Sequence, residues 1–179
     1  MTVDDNTLLK MLASPETKRK AFGLIVSQYS EMLYWKIRHF VLYHEDADDV
    51  MQNVLMKAWM NIDRFKADSK ISTCLYSIAV NESLDFLRRK KNVADADADL
   101  YAARHLMADE YFDGDATEAL LQEAIARLPD MQRTVFLLRY YDEMKYSEMS
   151  KMLERTEGAL KANYHIAAQK VLDYIKHRD

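Results

Sequence analysis

Residues that interrupt regular structure are scarce in this chain, which has three glycines and two prolines among 179 residues. Sandwiches, barrels and doubly wound sheets need a turn every few residues, and such turns are rich in glycine and proline. The well-represented residues are Ala, Leu, Met, Lys, Glu and Arg, which favour helices. With 49% hydrophobic and 30% charged residues, the composition is typical of a globular protein. The sequence therefore predicts an all-α fold.

Several classes of protein are excluded by what the sequence lacks. No apolar run approaches the roughly 18–20 residues of a membrane span, and the first residues lack the apolar core of a signal peptide. The single cysteine, Cys74, excludes an intramolecular disulfide and a zinc site built from paired cysteines. A calcium site at His44–Asp49 is not indicated, because the acids are nearly consecutive and no loop glycine separates them. We expect a cytoplasmic protein with no membrane insertion, no catalytic residues, no metal and no other cofactor.

The net charge of −4 is distributed over three blocks. Residues 1–92 carry 14 basic and 12 acidic side chains, whereas residues 93–123 carry one arginine and nine acids. Residues 124–179 are again mildly basic, with 10 basic and 8 acidic side chains. Because dense like charges repel and extend a chain, we predict an acidic linker at 93–117 with one short helix near Leu100–Met107. This linker would join two helical domains, at 1–92 and 118–179.

Three helices are predicted in the first block. Ser14-Pro15-Glu16 starts one, and the acids of Glu45–Asp49 favour the start of a second, near the positive end of its dipole. The apolar residues of the second helix recur on one side, which we expect to face inward: Val50, Val54, Leu55, Ala58, Trp59 and Ile62. The stretch Asp63–Ser72 breaks this pattern and is predicted to be a loop. A third helix, from about Thr73 to Lys91, ends in four consecutive cations, which indicate a phosphate contact.

Three further helices are predicted in the last block. Leu128-Pro129 opens the first, and Ser147 is expected to cap a short second helix. Thr156 is expected to cap a last helix, whose inward face is formed by Leu160, Tyr164, Ala167, Val171 and Leu172. Two helices separated by a tight turn are typical of a helix-turn-helix, although many helical bundles show the same pattern without binding DNA.

Two sets of motifs together resemble the extracytoplasmic-function (ECF) sigma factors of the sigma-70 family, the small promoter-recognition subunits of bacterial RNA polymerase. The first set is DADDVMQNVLMKAW at 46–59, LYSIA at 75–79 and NESLDFLRR at 81–89. The second is LPDMQRTVF at 128–136, YSEMS at 146–150 and GALKA at 158–162. The chain departs from the family at Cys74, where a tryptophan is usual, at Ile71, where a phenylalanine is common, and at Glu154, where a glycine is frequent. The resemblance implies a sigma-2-like bundle and a sigma-4-like helix-turn-helix domain.

The resemblance also implies partners and site residues for the first domain. Core RNA polymerase would bind the polar side of the second helix, whose acids suit partner arginines: Asp48, Asp49, Gln52, Asn53 and Leu55. The −10 element of promoter DNA would contact the loop and the third helix, which supply charge, one aromatic ring and hydroxyl groups: Arg64, Phe65, Lys66, Lys70, Ser72, Thr73, Asn81, Arg88 and Arg89. A solvated helix end and an ordinary polar loop, with Phe65 in the core, are the alternatives.

In the second domain, the resemblance implies contacts with the −35 element, made chiefly by the start of the last helix in the major groove. The candidate residues are Arg133, Tyr146, Arg155, Thr156, Glu157, Gly158, Lys161, Asn163 and His165. The family further implies an anti-sigma factor as a partner. Two other functions stay open from the residues alone: a helix-turn-helix regulator that acts without polymerase, and a helical adaptor that does not bind DNA.

Overall fold

The computed structural model describes residues 2–65, 70–93, 98–110, 112 and 114–178. Across these ranges the chain forms helices and no strand, so the all-α prediction is confirmed. The helices group into two compact units, Met1–Asn92 (unit 1) and Val93–Asp179 (unit 2). Each unit has its own buried apolar core.

Within its described residues, unit 1 contains four α-helices and one short 3-10 helix. They are α1 (Asp5–Ala13), α2 (Pro15–Phe40), α3 (His44–Met60), the 3-10 helix Ile62–Arg64, and α4 (Ile71–Val93). As predicted, Ser14 is the residue before α2, with Pro15 at its first helical position. Acids occupy the first turn of α3, also as predicted. The sequence patterns did not indicate α1.

The core of unit 1 forms where α1 and α3 pack on the long helix α2. Its fully buried side chains include Leu8, Ile25, Leu33, Ile37 and Val54. At about 25 cal/mol per Å² of apolar surface removed from water, each such side chain contributes about 1.5–3 kcal/mol.

Polar contacts attach α4 to the rest of unit 1. Lys57 on α3 forms an ion pair with Glu82 on α4, and Lys90 Nζ lies 2.5 Å from Asp46 Oδ2. At the start of α4, the backbone amide of Ile71 donates to Asp5 Oδ2 over 3.0 Å, so α1 supplies a cap for α4. The two ion pairs link α3 to α4, the two helices on which the candidate sites of unit 1 lie.

Unit 2 contains α5 (Ala98–Arg104), the 3-10 helix Leu106–Ala108, α6 (Ala116–Ala126), α7 (Asp130–Tyr140), α8 (Tyr146–Leu153) and α9 (Glu157–Lys176). Helix α9 packs against α6, α7 and α8. The core includes Ile125, Leu138, Met149 and Leu160, each at most 1% exposed. Thr156 caps α9 as predicted, because its Oγ1 accepts a hydrogen bond from the Ala159 amide over 3.2 Å.

Three local expectations are corrected. Ser147 does not cap α8, because the helix already begins at Tyr146. Lys145 is the residue before the helix, and its backbone amide donates to Glu148 Oε2 over 3.1 Å. Trp59 and Leu172 do not face inward but are 41% and 45% exposed. Both lie at the edge of an apolar helical face, where periodicity does not settle burial.

Part of the acidic segment, in the residues that the structure describes, is helical. The short helix expected near Leu100–Met107 is present as α5 and the following 3-10 helix, and both pack against α6. Ala102, Ala103 and Leu106 are buried in this contact. The apolar positions between the acids supply the buried face, and charge density alone did not indicate it.

Candidate docking face and nucleic-acid interfaces

The predicted docking residues share one side of α3. Asp48, Asp49 and Gln52 are exposed, whereas Asn53 and Leu55 are half-buried at the border of that side. The opposite side carries the buried residues Ala47, Val50, Val54 and Ala58 and holds the helix on the core. The structure therefore brings the five candidates together as a polar face with an apolar edge, a composition that suits a protein interface.

Asp48 already has a neighbour within the chain. Its Oδ2 lies 3.3 Å from Nε2 of His44, one turn earlier, and Nδ1 of His44 lies 2.6 Å from the hydroxyl of Tyr34 on α2. Of the predicted docking residues, Asp49 and Gln52 are the exposed ones that follow Asp48 on the same side of α3. They are accordingly the better positions at which to test docking.

An apolar continuation of this face was not predicted from the sequence. Met56 and Met60 follow Gln52 at steps of four residues and are 57% and 73% exposed. Trp59 lies beside them, with its ring 5.1 Å from that of Phe22 in an edge-to-face arrangement. The sequence did contain a signal for this patch. Apolar residues that lie on the same helix side as Asp49 and Gln52 cannot all face the core.

The candidate loop for the −10 element lies between the 3-10 helix and α4. Arg64 and Lys70, near its two ends, are exposed, and Phe65 is half-buried. Lys66 lies outside the described residues. Ser72 is half-buried and Thr73 is exposed in the first turn of α4. The start of α4 thus presents a cation and a hydroxyl next to each other.

The remaining candidates for the −10 element form a stripe along α4. Asn81, Arg88 and Arg89 are exposed, and Asn81 is two helical turns beyond Thr73. Arg88 Nη1 lies 3.0 Å from Oδ1 of Asp85, an exposed pair on the same stripe. From Thr73 to Arg89 the stripe is about 24 Å long, given a rise of about 1.5 Å per residue. Thr73 and Arg89 lie near the two edges of the exposed side of α4, about 160° apart around the helix, with Asn81 and Arg88 between them.

Helices α8 and α9 form the predicted helix-turn-helix. The turn is made by Glu154, which adopts the left-handed conformation with φ of 52°. This conformation costs a residue with a side chain about 1–2 kcal/mol, which explains why glycine is favoured at such turns. Ser150 braces the turn by donating from Oγ to the carbonyl oxygen of Arg155 over 2.6 Å.

The start of α9 presents most of the candidates for the −35 element on one side. Glu157, Lys161 and His165 recur at steps of four residues and are exposed, as are Arg155, Thr156 and Gly158 before them. A Cβ added at Gly158 would meet no heavy atom within 4 Å, so no contact within the chain requires glycine there. The cation of Lys161 lies 3.8 Å from the carboxylate of Glu157.

Three candidates are placed differently from this exposed side. Asn163 is half-buried at the edge of the inward face, and its amide nitrogen donates to the carbonyl of Ala159 over 2.8 Å. Arg133 is half-buried in the first turn of α7. Tyr146, at the start of α8, is also half-buried, but its ring lies beside the exposed Lys161.

Tyr146 is the centre of a small cationic cluster. Lys161 Nζ lies 5.6 Å from its ring centroid, and the guanidinium of Arg139 lies 5.3 Å from it. Arg139 was not among the predicted site residues, because nothing in its local sequence distinguishes it. Burial, followed by repulsion from the charge of an ionised Tyr146, raises the pKa of the nearby Tyr164. The cluster suits a phosphate group.

Among the described residues, no group of three or more His, Cys, Asp or Glu side chains is arranged to hold a metal ion. No helix in the described part of the chain has the length and hydropathy that crossing a bilayer requires. Cys74 is half-buried.

Comparison with known families identifies both units. Residues 25–93 match sigma-70 region 2, and residues 118–171 match sigma-70 region 4. The chain is 33% identical to the ECF RNA polymerase sigma factor SigW of Bacillus subtilis over 156 residues, covering 81% of this chain and 83% of that protein. It is 27% identical to the RNA polymerase sigma-H factor of Pseudomonas aeruginosa over 164 residues, covering 86% and 85%. The matched relatives are sigma factors, not enzymes.

Two solved structures share the fold. CnrH, solved in complex with the cytosolic domain of CnrY, has a TM-score of 0.65 at 23% identity, covering 98% of this chain and 99% of that one. The sigma factor RpoE of Bartonella quintana, solved with the anti-sigma factor NepR, has a TM-score of 0.64 at 20% identity, covering 88% and 98%. With both sigma-70 regions in order and 33% identity over four fifths of a relative, the chain belongs to the extracytoplasmic-function sigma factors and functions as an alternative sigma factor in transcription initiation.

Proposed function

We propose that the exposed side of α3 is the face that binds core RNA polymerase. It carries Asp49 and Gln52 on an exposed helix side, next to the acid Asp48 and the half-buried Leu55. Carboxylates of this kind form charge-assisted hydrogen bonds with partner arginines, and the apolar edge adds buried contact area. The observation that supports this role most directly is the exposure of these polar side chains on a helix whose opposite side is fully buried.

Promoter DNA is divided between the two units in this proposal. The loop before α4 and the stripe from Thr73 to Arg89 contact the −10 element, with Arg88 and Arg89 on phosphates. The start of α9 enters the major groove at the −35 element, and Lys161 and Arg139 contact phosphates beside Tyr146. Unit 1 carries a net charge of only +2, and so do residues 124–179 of unit 2, so promoter binding depends on the polymerase for its remaining contacts.

The rest of the assignment follows from this role. The polymerase carries out the chemistry, so no residue of this chain needs to be catalytic and no cofactor is required. The protein acts in the cytoplasm, where the polymerase is. In this proposal an anti-sigma factor regulates the protein by covering these surfaces; the RpoE of Bartonella quintana, which shares the fold, was solved in complex with the anti-sigma factor NepR. A regulator that binds DNA without polymerase is not favoured by the relatives.

The docking assignment is tested by the double variant D49A/Q52A. Loss of one charged pair and one hydrogen bond of about 1 kcal/mol each should weaken binding to core polymerase about 10- to 30-fold. Helical content should not change, because both side chains are exposed. Affinity is measured by titrating labelled protein with core enzyme. The matched control is D173A/Q169A, an exposed Asp-Gln pair on α9. Unchanged core affinity in D49A/Q52A would contradict the docking face.

The DNA assignment of α9 is tested by Lys161→Ala. Because one phosphate contact releases about one counterion, promoter binding by holoenzyme should weaken and the slope of log K against log salt should fall by about 0.9. The exposed Lys176, at the other end of α9, is the matched control. If both the affinity and the salt slope of the Lys161 variant equal those of wild type, Lys161 does not contact DNA.

A further inference from the structure

The first helix, α1, lies outside the part of the chain that matches sigma-70 region 2, which begins at residue 25. It is nevertheless attached to α2 at both of its ends. The backbone of Val3, just before α1, forms two hydrogen bonds with the side chain of Gln28, at 2.9 and 3.3 Å. Near the end of α1, the carbonyl oxygen of Met11 accepts from the hydroxyl of Thr17 over 2.6 Å. These contacts give α1 a defined place in unit 1.

Asp5, at the first position of α1, connects this helix to α4. Its Oδ2 accepts from the backbone amide of Ile71 over 3.0 Å, and its Oδ1 accepts from the hydroxyl of Tyr29 on α2 over 3.2 Å. Asp5 is half-buried, and Ile71 is only 1% exposed. One carboxylate therefore joins α1, α2 and the first turn of α4.

The start of α4 lacks an acid of its own. Lys70 precedes the helix, and the first turn at 71–74 contains no acidic residue. A cation near the positive end of a helix dipole is unfavourable, whereas a carboxylate there is favourable. Asp5 supplies both the negative charge and a hydrogen-bond acceptor. An acid in place of the exposed Thr73 would also stabilise the helix start, but it would repel the phosphates of DNA bound there.

Helix α1 also contacts the element that carries the other candidates near the loop. It packs against the 3-10 helix Ile62–Arg64, which leads into Phe65. Ile62 is 2% exposed, and Asp63 Oδ1 lies 2.6 Å from Nζ of Lys18 on α2. The 3-10 helix and the start of α4 carry the described candidates for the −10 element at 62–65 and 70–73. Both elements are in contact with α1.

We propose that α1 positions these two groups of −10 candidates relative to each other, and that Asp5 is the positioning residue through which it holds the start of α4. This inference rests on the proposed contact with the −10 element. Asp5 itself does not touch DNA, because both of its carboxylate oxygens accept from donors within unit 1. When the first turn of α4 frays, the apparent affinity for DNA falls in proportion to the fraction of molecules that are frayed.

Amide exchange in the full-length protein tests the cap. In Asp5→Ala, the backbone amides at 71–75 should exchange about fivefold faster, because loss of a cap lets the first turn fray. Exchange in α7, in the other unit, should not change. Asp5→Asn keeps an oxygen that can accept from the Ile71 amide and should restore most of the protection. The matched control is Asp4→Ala, since Asp4 Oδ1 accepts from the Thr7 amide over 3.1 Å and caps α1 alone.

DNA binding separates a positioning role from a purely structural one. The probes are two pieces of a promoter that is first selected with the wild-type holoenzyme: a single strand with the −10 element, and a duplex with only the −35 element. Holoenzyme that contains Asp5→Ala should bind the −10 strand about threefold to fivefold more weakly than wild type. Its affinity for the −35 duplex and for core polymerase should not change. Asp5→Asn and Asp4→Ala should bind the −10 strand nearly as well as wild type.

Three results would overturn the proposal. Wild-type binding of the −10 strand by Asp5→Ala would show that the cap is only structural, even if exchange at 71–75 is faster. Equal weakening by Asp4→Ala, or a parallel loss of core affinity in Asp5→Ala, would show that the effect belongs to the stability of unit 1 as a whole. Failure of the −10 assignment itself looks different, because the double variant R88A/R89A would then bind the −10 strand as tightly as wild type. That result would contradict the proposed function and this inference with it.

Discussion

Glu123→Leu should lower the free energy of unfolding of unit 2 by about 2–4 kcal/mol at pH 7. The substitution leaves the guanidinium groups of Arg104, Arg127 and Arg178 and the Tyr174 hydroxyl without their shared acceptor, and breaking a buried charged network costs about this much. The arginine side chains are 35–49% exposed, so water partly solvates them once the carboxylate is gone. The loss in unfolding free energy is therefore closer to about 2 than to about 4 kcal/mol where this solvation is good. Urea unfolding followed by far-UV circular dichroism measures the loss.

The effect of Glu123→Leu should depend on pH. Burial alone would raise the pKa of Glu123, but the hydrogen bonds from Tyr174 and Arg104 outweigh burial and lower it in the folded protein from its ordinary value of 4.5. A carboxylate whose pKa is lowered on folding stabilises the protein at pH values above its pKa in the unfolded chain. This stabilisation is lost as the pH falls through its pKa in the folded protein. The difference between wild type and variant should therefore be full at pH 7 and smaller at pH 3. Equal differences at the two pH values would contradict an ionised Glu123. Glu157→Leu, which removes an exposed carboxylate of α9, should change stability by less than about 0.5 kcal/mol.

Lys57→Met should destabilise unit 1 by about 3 kcal/mol. The lysine is half exposed, but its partner Glu82 is 5% exposed and would be left as a buried carboxylate without a cation. The double variant K57M/E82M removes both charges and should recover most of the loss.

The two units can be followed separately in this experiment. Both tryptophans, Trp35 and Trp59, belong to unit 1, so tryptophan fluorescence reports its unfolding alone. The matched control is Lys18→Met. Its partner Asp63 has a 77% exposed side chain, so that loss should stay below about 1 kcal/mol. Equal losses from Lys57→Met and Lys18→Met would show that burial of the acid does not determine how much stability the ion pair contributes.

Local signals in the sequence predicted the elements that carry the candidate sites. The Ser14-Pro15 start of α2, the acids that open α3 and the Thr156 cap of α9 are all encoded within a few residues. The exposed sides of α3 and α9 then follow from helical periodicity. These features are predictable because each depends only on neighbours in the chain.

Features that depend on distant residues were not predictable. The cap of α4 is Asp5, 66 residues earlier, and the Glu123 carboxylate accepts a hydrogen bond from Arg178, 55 residues later. The apolar contact of α5 was masked by the acids around it, and α6 was not predicted. Periodicity also cannot decide burial at the edge of a face, as Trp59 shows. Each of these outcomes is fixed by packing between elements and not by local preference.

The cap that Asp5 provides also has a consequence for synthesis on the ribosome. Asp5 leaves the ribosome early, but the Ile71 amide that it accepts from is made 66 residues later. At about 5–20 residues per second, α1 exists for about 3–13 s before its partner in α4 is available. During that interval α2 is the helix that can cover Leu8 and Leu12. The hairpin of α1 and α2 therefore buries part of the apolar surface of the nascent chain before α4 completes unit 1.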